Sequence, residues 1–208
     1  MDPRAALVRA AHRLREMECL PASDGNLSAR SGPSLFWISP SGVEKGRIAA
    51  DDFVLLDASG QTIEGRGKPS SEWPMHWAIY CQRNEVNSIL HAHPPFLTAF
   101  AAAHRVPDLA ILAEAHLAIG EIHLVPYAAP GSASLGREIV AKSTRAGIYM
   151  LENHGAVAVG REVDEALHRL ERAEFLARVS LLTEKIGGAV PLSEAEVVRL
   201  RQRRQGEI

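Results

Sequence analysis

His91 and His93 stand two residues apart at the end of an apolar run, Val86 to Leu90, that reads as a buried strand. Side chains alternate faces along a strand, so residues i and i+2 point the same way. Two imidazoles then sit side by side, each with a ring nitrogen available to one ion. Pro94 and Pro95 end the strand at once, because a proline has no N–H to give to a ladder. Zn²⁺ usually takes about three or four protein ligands, so the rest of the chain must supply more. His154 lies between Asn153 and Gly155 at the end of another apolar run, and a histidine at a second strand end completes a three-histidine set. Glu72 opens a helix in a loop rich in hydroxyls. Beside a divalent cation a carboxylate serves as a fourth ligand, or is displaced and acts as a base. His12, His104 and His168 fall at surface or helix positions.

Imidazoles, a cation and a nearby carboxylate suit enediolate formation from a hydroxyketone. The metal polarises the carbonyl and hydroxyl oxygens as a Lewis acid, and the carboxylate moves the proton. Three polar turns offer neutral donors to a phosphate on such a substrate: Asn26 in the first, Ser41 and Gly42 in the second, Ser70 and Ser71 in the third. A helix N-terminus with adjacent hydroxyls and a lysine is a ready anion site. Each turn alone reads as well as an ordinary turn, and the third as a capped helix with solvated Arg66 and Lys68. Taken together, the residues point to a metal enzyme acting on a small phosphorylated carbonyl compound.

The elements that must position these groups alternate along the chain. Residues 3 to 18 read as an amphipathic helix with Leu7, Ala10, Ala11, Leu14 and Met17 on one face, started at Pro3 and ended by Pro21. Further helices are expected over 72–82, with Ser70 or Ser71 as cap, over 96–103, and over 134–142, with Ser132 or Ser134 as cap. A long one covers 164–186, and Ser193 opens a last one. Short strands are expected at 35–39, 53–57, 86–90, 122–126, 147–152 and 156–159, among about eight in all. They are too short and turn-linked for a doubly wound parallel sheet, and no Gly-x-Gly-x-x-Gly follows a strand. The fold class is α/β in three layers, a central and mainly antiparallel sheet flanked by helices.

The length of 208 residues fits one domain spanning 1–208. With 46% hydrophobic and 23% charged residues the chain can bury a full core. A net charge of −2 gives no bulk electrostatic reason to expect nucleic acid or an acidic membrane as partner. Arg199, Arg201, Arg203 and Arg204 read as a solvated helix end. Cys19 and Cys81 form no metal or redox spacing, which fits a reduced, cytoplasmic setting. No apolar run approaches the roughly 20 residues that span a bilayer.

Gly25-Asn26-Leu27-Ser28, Ser39-Pro40-Ser41-Gly42, Lys68-Pro69-Ser70-Ser71-Glu72, His91-Ala92-His93 and Asn153-His154-Gly155, in that order, resemble the class II aldolase/adducin head family. The likeness runs over about residues 3 to 200 and is strongest to aldolases of the fuculose-phosphate type. It implies a zinc-dependent lyase that cleaves a ketose phosphate to dihydroxyacetone phosphate and an aldehyde. His91, His93 and His154 would bind Zn²⁺, or Mn²⁺ or another divalent cation in its place. Glu72 would be acid/base and a resting-state ligand, and Asn26, Ser41, Gly42, Ser70 and Ser71 would hold the phosphate. A four-fold homotetramer with sites at subunit interfaces is also implied. Two departures stand out. The segment that carries an interface tyrosine in the fuculose enzymes is here Leu-Ala-Ile-Leu-Ala-Glu-Ala-His, residues 109 to 116, and the chain end has no tyrosine either. Glu114 or His116 is the candidate substitute on the aldehyde side. Within the family, 4-epimerases of ribulose phosphate, methylthioribulose-1-phosphate dehydratases and metal-dependent decarboxylases share the site. The epimerases tend to carry aspartate where this chain has Glu72. The adducin heads, which are structural, lack the histidine set.

Overall fold

β5 (Ser88–Ala92) is buried along its whole length and runs antiparallel between β1 (Asn26–Gly32) and β8 (Gly155–Gly160). A strand of this kind needs apolar cover on both faces, and its residues divide by parity to receive it. Leu90 and Ala92, with Ala156 and Ala158 of β8, meet Leu7 and Leu14 of α1 (Arg4–Glu16), Leu97 of α3 (Pro95–Ala102) and Leu170 and Ala173 of α6 (Val163–Glu184). Ile89, with Val157 and Val159, meets Met75 and Ile79 of α2 (Trp73–Gln82) and Leu135 and Ile139 of α5 (Ala133–Val140). The two cores on opposite faces of one sheet make three layers. Each such Leu or Ile contributes about 1.5–3 kcal/mol by leaving water.

The computed structural model describes residues 2–142 and 144–205, with side chains up to residue 203. The chain end at 206–208, where a tyrosine is missing relative to the fuculose enzymes, lies outside the described residues. The remaining strands are β2 (Leu35–Ile38), β3 (Val54–Asp57), β4 (Thr62–Glu64), β6 (Glu121–Val125) and β7 (Ala146–Leu151). Eight strands run in the order β4-β3-β2-β1-β5-β8-β7-β6, and among them only β6 and β7 pair in parallel. The expected mainly antiparallel sheet flanked by helices is therefore present. Two short helices complete the chain, α4 (Ala113–Ala118) and α7 (Glu194–Gln205), which pack against each other. Among the described residues, no helix is long and apolar enough to cross a membrane.

Boundaries shift where local chemistry decides them. The first helix stops at Glu16 rather than 18, because Glu18 takes a left-handed φ of 60° ahead of Pro21. Neither Ser70 nor Ser71 is the cap residue of α2; that position is Glu72, whose own side chain makes no cap bond. Pro74 sits in the first turn and has no N–H to offer a cap. The Glu72 carboxylate is thus left to turn elsewhere. Ser132 does cap α5, accepting from Leu135 N.

Candidate metal centre and active site

His91 shares the parity of Ile89, so it leaves β5 on the face covered by α2. Asn26 is its ladder partner across β1 and β5. His93 follows just past the strand, with its N–H bonded to Cys19 O at 2.8 Å. His154 comes from the hairpin between β7 and β8. There Asn153 adopts a φ of 55°, a left-handed conformation that asparagine tolerates, and His154 N bonds back to Leu151 O at 3.1 Å. The end of β5 and the β7–β8 hairpin so deliver three imidazoles to one place. Each offers one ring nitrogen, and these atoms lie within 4.8 Å of one another. The ring centroids are 4.7–5.2 Å apart.

Glu72 completes the cluster from the start of α2. Its Oε2 lies 3.2 Å from His91 Nε2 and its Oε1 lies 3.8 Å from His154 Nε2. The His91 contact tests whether a cation fits. His91 Nδ1 lies 3.1 Å from Ala156 O, which can only accept, so that nitrogen carries the proton. In the neutral ring Nε2 is then a bare lone pair facing a carboxylate oxygen. Two acceptors at that distance need a positive charge between or beside them. His93 Nε2 and Glu72 Oε1 are also buried without a hydrogen-bond partner among the described residues. Buried, neutral, orphaned nitrogens around one point are the donor set of a divalent cation, and the residues fit such an ion. The carbonyl bond at His91 Nδ1 is the kind of outer contact that fixes a ligand's tautomer.

The electrostatics agree. Burial pushes His93 down to about 3 and His154 down to about 4, so both rings stay neutral at neutral pH, the form in which an imidazole can ligate an ion. Burial alone would raise Glu72, but the facing His91, the hydrogen bond from Asn26 and the nearby His154 hold it well below the usual carboxylate range. Asp24 lies 3.9 Å from His93 Nδ1 on the exposed side.

The three polar turns do come together. Ser39 N donates to Leu27 O, and Leu27 N donates to Ser39 Oγ at 3.1 Å. Ser41 N donates to Lys68 O at 2.8 Å and Ser70 N to Ser39 O at 3.2 Å, around a bridge between Pro40 and Pro69. Ser41, Gly42 and Ser71 are exposed, while Asn26 and Ser70 are buried. Gly42 has a φ of 72°, which leaves its amide in an open turn. Asn26 differs from the expectation in part. One hydrogen of its Nδ2 goes to Glu72 Oε2 at 2.7 Å, so its amide serves the carboxylate first.

Glu114 and His116 lie elsewhere in this chain. Glu114 is exposed in the first turn of α4. His116 is buried and lines a cleft with Arg83, Glu121, Ala146 and Gly160. Gly160 is the far end of β8 from His154, roughly 15–20 Å along a strand rising about 3.3 Å per residue. Four residues around the site carried no sequence signal of their own. His76, Tyr80, Lys45 and Glu174 are all buried and hydrogen-bonded near it. His76 was within reach of reasoning, since it stands four residues after Glu72 and so on the same helical face.

A family model for the class II aldolase and adducin N-terminal domain matches residues 5–181. The chain belongs to the class II aldolase/adducin family. An L-fuculose phosphate aldolase of Methanococcus maripaludis strain C7 is 31% identical over 179 residues, 86% of this chain and 96% of that one. A 3-oxo-tetronate 4-phosphate decarboxylase of Haemophilus influenzae is 30% identical over 159 residues, 74% of this chain and 75% of that one. Among solved structures, an L-fuculose 1-phosphate aldolase superposes with a TM-score of 0.88 at 26% identity, covering 98% of this chain and 96% of its own.

Proposed function

We propose that this class II aldolase-family protein is a metal-dependent lyase that cleaves a small ketose phosphate to dihydroxyacetone phosphate and an aldehyde. One observation carries the reading: three imidazoles converge on one point with the Glu72 carboxylate, whose Oε1 has no hydrogen-bond partner among the described residues. His91, His93 and His154 would hold such an ion, with Glu72 as a further resting ligand. Zinc suits the donors, and manganese is acceptable to the same imidazole and carboxylate set. A bound divalent cation supplies Lewis-acid polarisation of the carbonyl and hydroxyl oxygens that face it. Glu72 moves the proton at the reacting carbon. Ser41, Gly42, Ser70 and Ser71 bind the phosphate and orient the ketose, with Asn26 adding the second hydrogen of its amide. The aldehyde half is completed at a subunit interface of a homotetramer, with Glu114 or His116 offered by a neighbouring copy.

The 30% identity to a decarboxylase supports a second reading on the same site, loss of CO₂ from a phosphorylated keto acid. Both reactions share Glu72 and the ion and differ in the bond broken. A panel of fuculose, rhamnulose, ribulose and methylthioribulose phosphates and a phosphorylated keto acid, assayed with zinc present, separates them. Aldehyde release, epimer formation, dehydration and CO₂ release are read separately. Aldehyde release from a ketose phosphate is expected. CO₂ release alone replaces the first reading with the second, and no turnover of any phosphorylated compound removes both.

A further inference from the structure

Behind Glu72 lies a row of buried polar side chains whose protons can be arranged in one direction only. Asn26 Nδ2 donates to Glu72 Oε2 at 2.7 Å, because the amide oxygen in that place would face a carboxylate. Asn26 Oδ1 then faces His76 Nε2 at 2.5 Å, so that nitrogen must carry the proton. His76 is fully buried and neutral, which leaves Nδ1 as an acceptor. Ser28 Oγ lies 2.6 Å from it and gives it the hydroxyl proton. Having spent that proton, Ser28 Oγ accepts from Tyr80 OH at 2.8 Å. The chain runs from Tyr80 through Ser28, His76 and Asn26 to Glu72 with every link satisfied.

We infer that Ser28, His76 and Tyr80 are positioning residues that lock the Asn26 amide in one orientation, so that the Glu72 carboxylate is held by Oε2 and presents Oε1 to the substrate. This deepens the reading of Glu72 as the proton-moving group and rests on it. Two features of the site support the inference. Oε1 is the carboxylate oxygen without a hydrogen-bond partner among the described residues. Asn26 and Ser28 sit two apart on β1, His76 and Tyr80 four apart on α2, and Glu72 four before His76, so one strand face and one helix face build the whole row. A flipped amide would place its oxygen against the carboxylate and turn Glu72 away from the histidines. The row opposes the flip from the other side of the amide by fixing the His76 tautomer, which adds to the preference that the carboxylate itself imposes.

The test has two arms. In metal-free protein with ¹⁵N-labelled histidine, long-range ¹H–¹⁵N correlation reads the His76 tautomer, assigned by its loss in His76→Gln. A neutral Nε2–H ring is expected, shifting toward Nδ1–H in Ser28→Ala. In zinc-loaded protein, deuterium exchange into dihydroxyacetone phosphate reads proton transfer without any aldehyde. Ser28→Ala should lower the maximal exchange rate about 10–100-fold, the range for contacts one shell out from a metal site. Its KM and zinc content should stay unchanged, and Ser28→Thr, which keeps the hydroxyl, should restore the rate. An Nδ1–H ring in the wild-type protein overturns the inference. So does a Ser28→Ala protein that melts earlier but exchanges at the normal rate, the outcome of a purely structural role. Failure of the wild-type protein to exchange any deuterium counts against the functional reading itself, and is told apart by the tautomer arm.

Discussion

Gly155 lies directly against the imidazole of His93. A Cβ on Gly155 would run into His93 Cδ2 and the carbonyl oxygen of Ala92. The glycine opens β8 where the hairpin delivers His154, so two ligands depend on the missing side chain. Gly155→Ala must therefore displace His93 or bend the hairpin. Overpacking of this kind costs about 1–3 kcal/mol. We expect zinc affinity to fall about 10–100-fold, as for lost support around a ligand, with a lower melting temperature. Competition with a calibrated chelator measures the first, and unchanged affinity would remove Gly155 from the site.

Removing a ligand and removing the base should have opposite signatures. His93→Ala removes one of the three converging imidazoles and opens the site on that side, and should lose bound zinc. Glu72→Gln keeps the three imidazoles and its shape, so zinc should stay while proton exchange at the substrate carbon disappears. Elemental analysis of the purified variants reads the metal, and deuterium incorporation reads the base. Full zinc occupancy in His93→Ala would sink the ligand assignment, and normal exchange in Glu72→Gln would sink the base.

Lys45 is almost completely buried, and its ammonium donates to Ser23 O at 3.0 Å and Val43 O at 2.7 Å. Those carbonyls belong to the turns that precede Asn26 and follow Gly42, so one lysine fastens two of the three turns. Burial pushes its pKa below the ordinary lysine value, and nearby Asp24 works the other way. Lys45→Met leaves both carbonyls without their donor, at about 1–3 kcal/mol for each buried group unsatisfied. The loosened turns should raise KM for a phosphorylated substrate about tenfold, which corresponds to roughly 1.4 kcal/mol of binding. kcat should change much less. A KM that does not move would show that the phosphate rests on other groups.

The metal-free protein should lose stability on mild acidification. Burial holds His76 and His93 at about 3 and His154 at about 4 in the folded chain, against 6.5 in the unfolded one. Between about 4 and 6.5 the unfolded state therefore binds more protons, so stability rises with pH there and is lost as pH falls. Urea midpoints measured in the presence of a chelator should drop steeply from pH 7 to pH 4.5. His76→Gln should flatten the slope. A flat profile in the parent protein would mean that these rings are not buried neutral in solution.

The strands were legible because apolar runs bounded by turns announce them; their order was not, because β1 pairs with β5 and β5 with β8 across long intervening stretches of chain. The convergence of His91, His93, His154 and Glu72 was legible because all four sit at strand and helix ends, where prolines, glycines and asparagine mark the chain. The row behind Glu72 was not. Ser28, His76 and Tyr80 look like filler in a strand and a helix until the register of β1 against β5 and the placement of α2 bring them together. Ser70 misled for a local reason. A serine two residues ahead of a helix suggests a cap, but the hydroxyl here accepts from Glu72 N at 3.3 Å and leaves the cap position to Glu72. Long-range side-chain pairs such as Glu174 with residues 96 and 97 have no sequence period at all.

Glu174 supplies the last prediction. It projects from α6, buried, and accepts from Phe96 N at 2.9 Å and Leu97 N at 2.8 Å. Those are amides of the first turn of α3, which no residue of that helix caps. Only Pro94 and Pro95 separate them from His93, so the carboxylate anchors the chain just after a proposed metal ligand. Burial raises its pKa, while the two backbone N–H groups and Arg178 pull the other way. Glu174→Gln keeps the volume but puts an NH₂ against one of the two amides. Losing one charge-assisted bond and opposing a donor with a donor should cost about 1.5–3 kcal/mol. Since α3 then frays toward His93, zinc affinity should fall along with the melting temperature, while Phe175→Ala, exposed one residue on, should change neither. Chelator competition and thermal melts on the two variants side by side decide it. Loss of stability with zinc affinity intact would confine Glu174 to the fold and free the metal centre from α6.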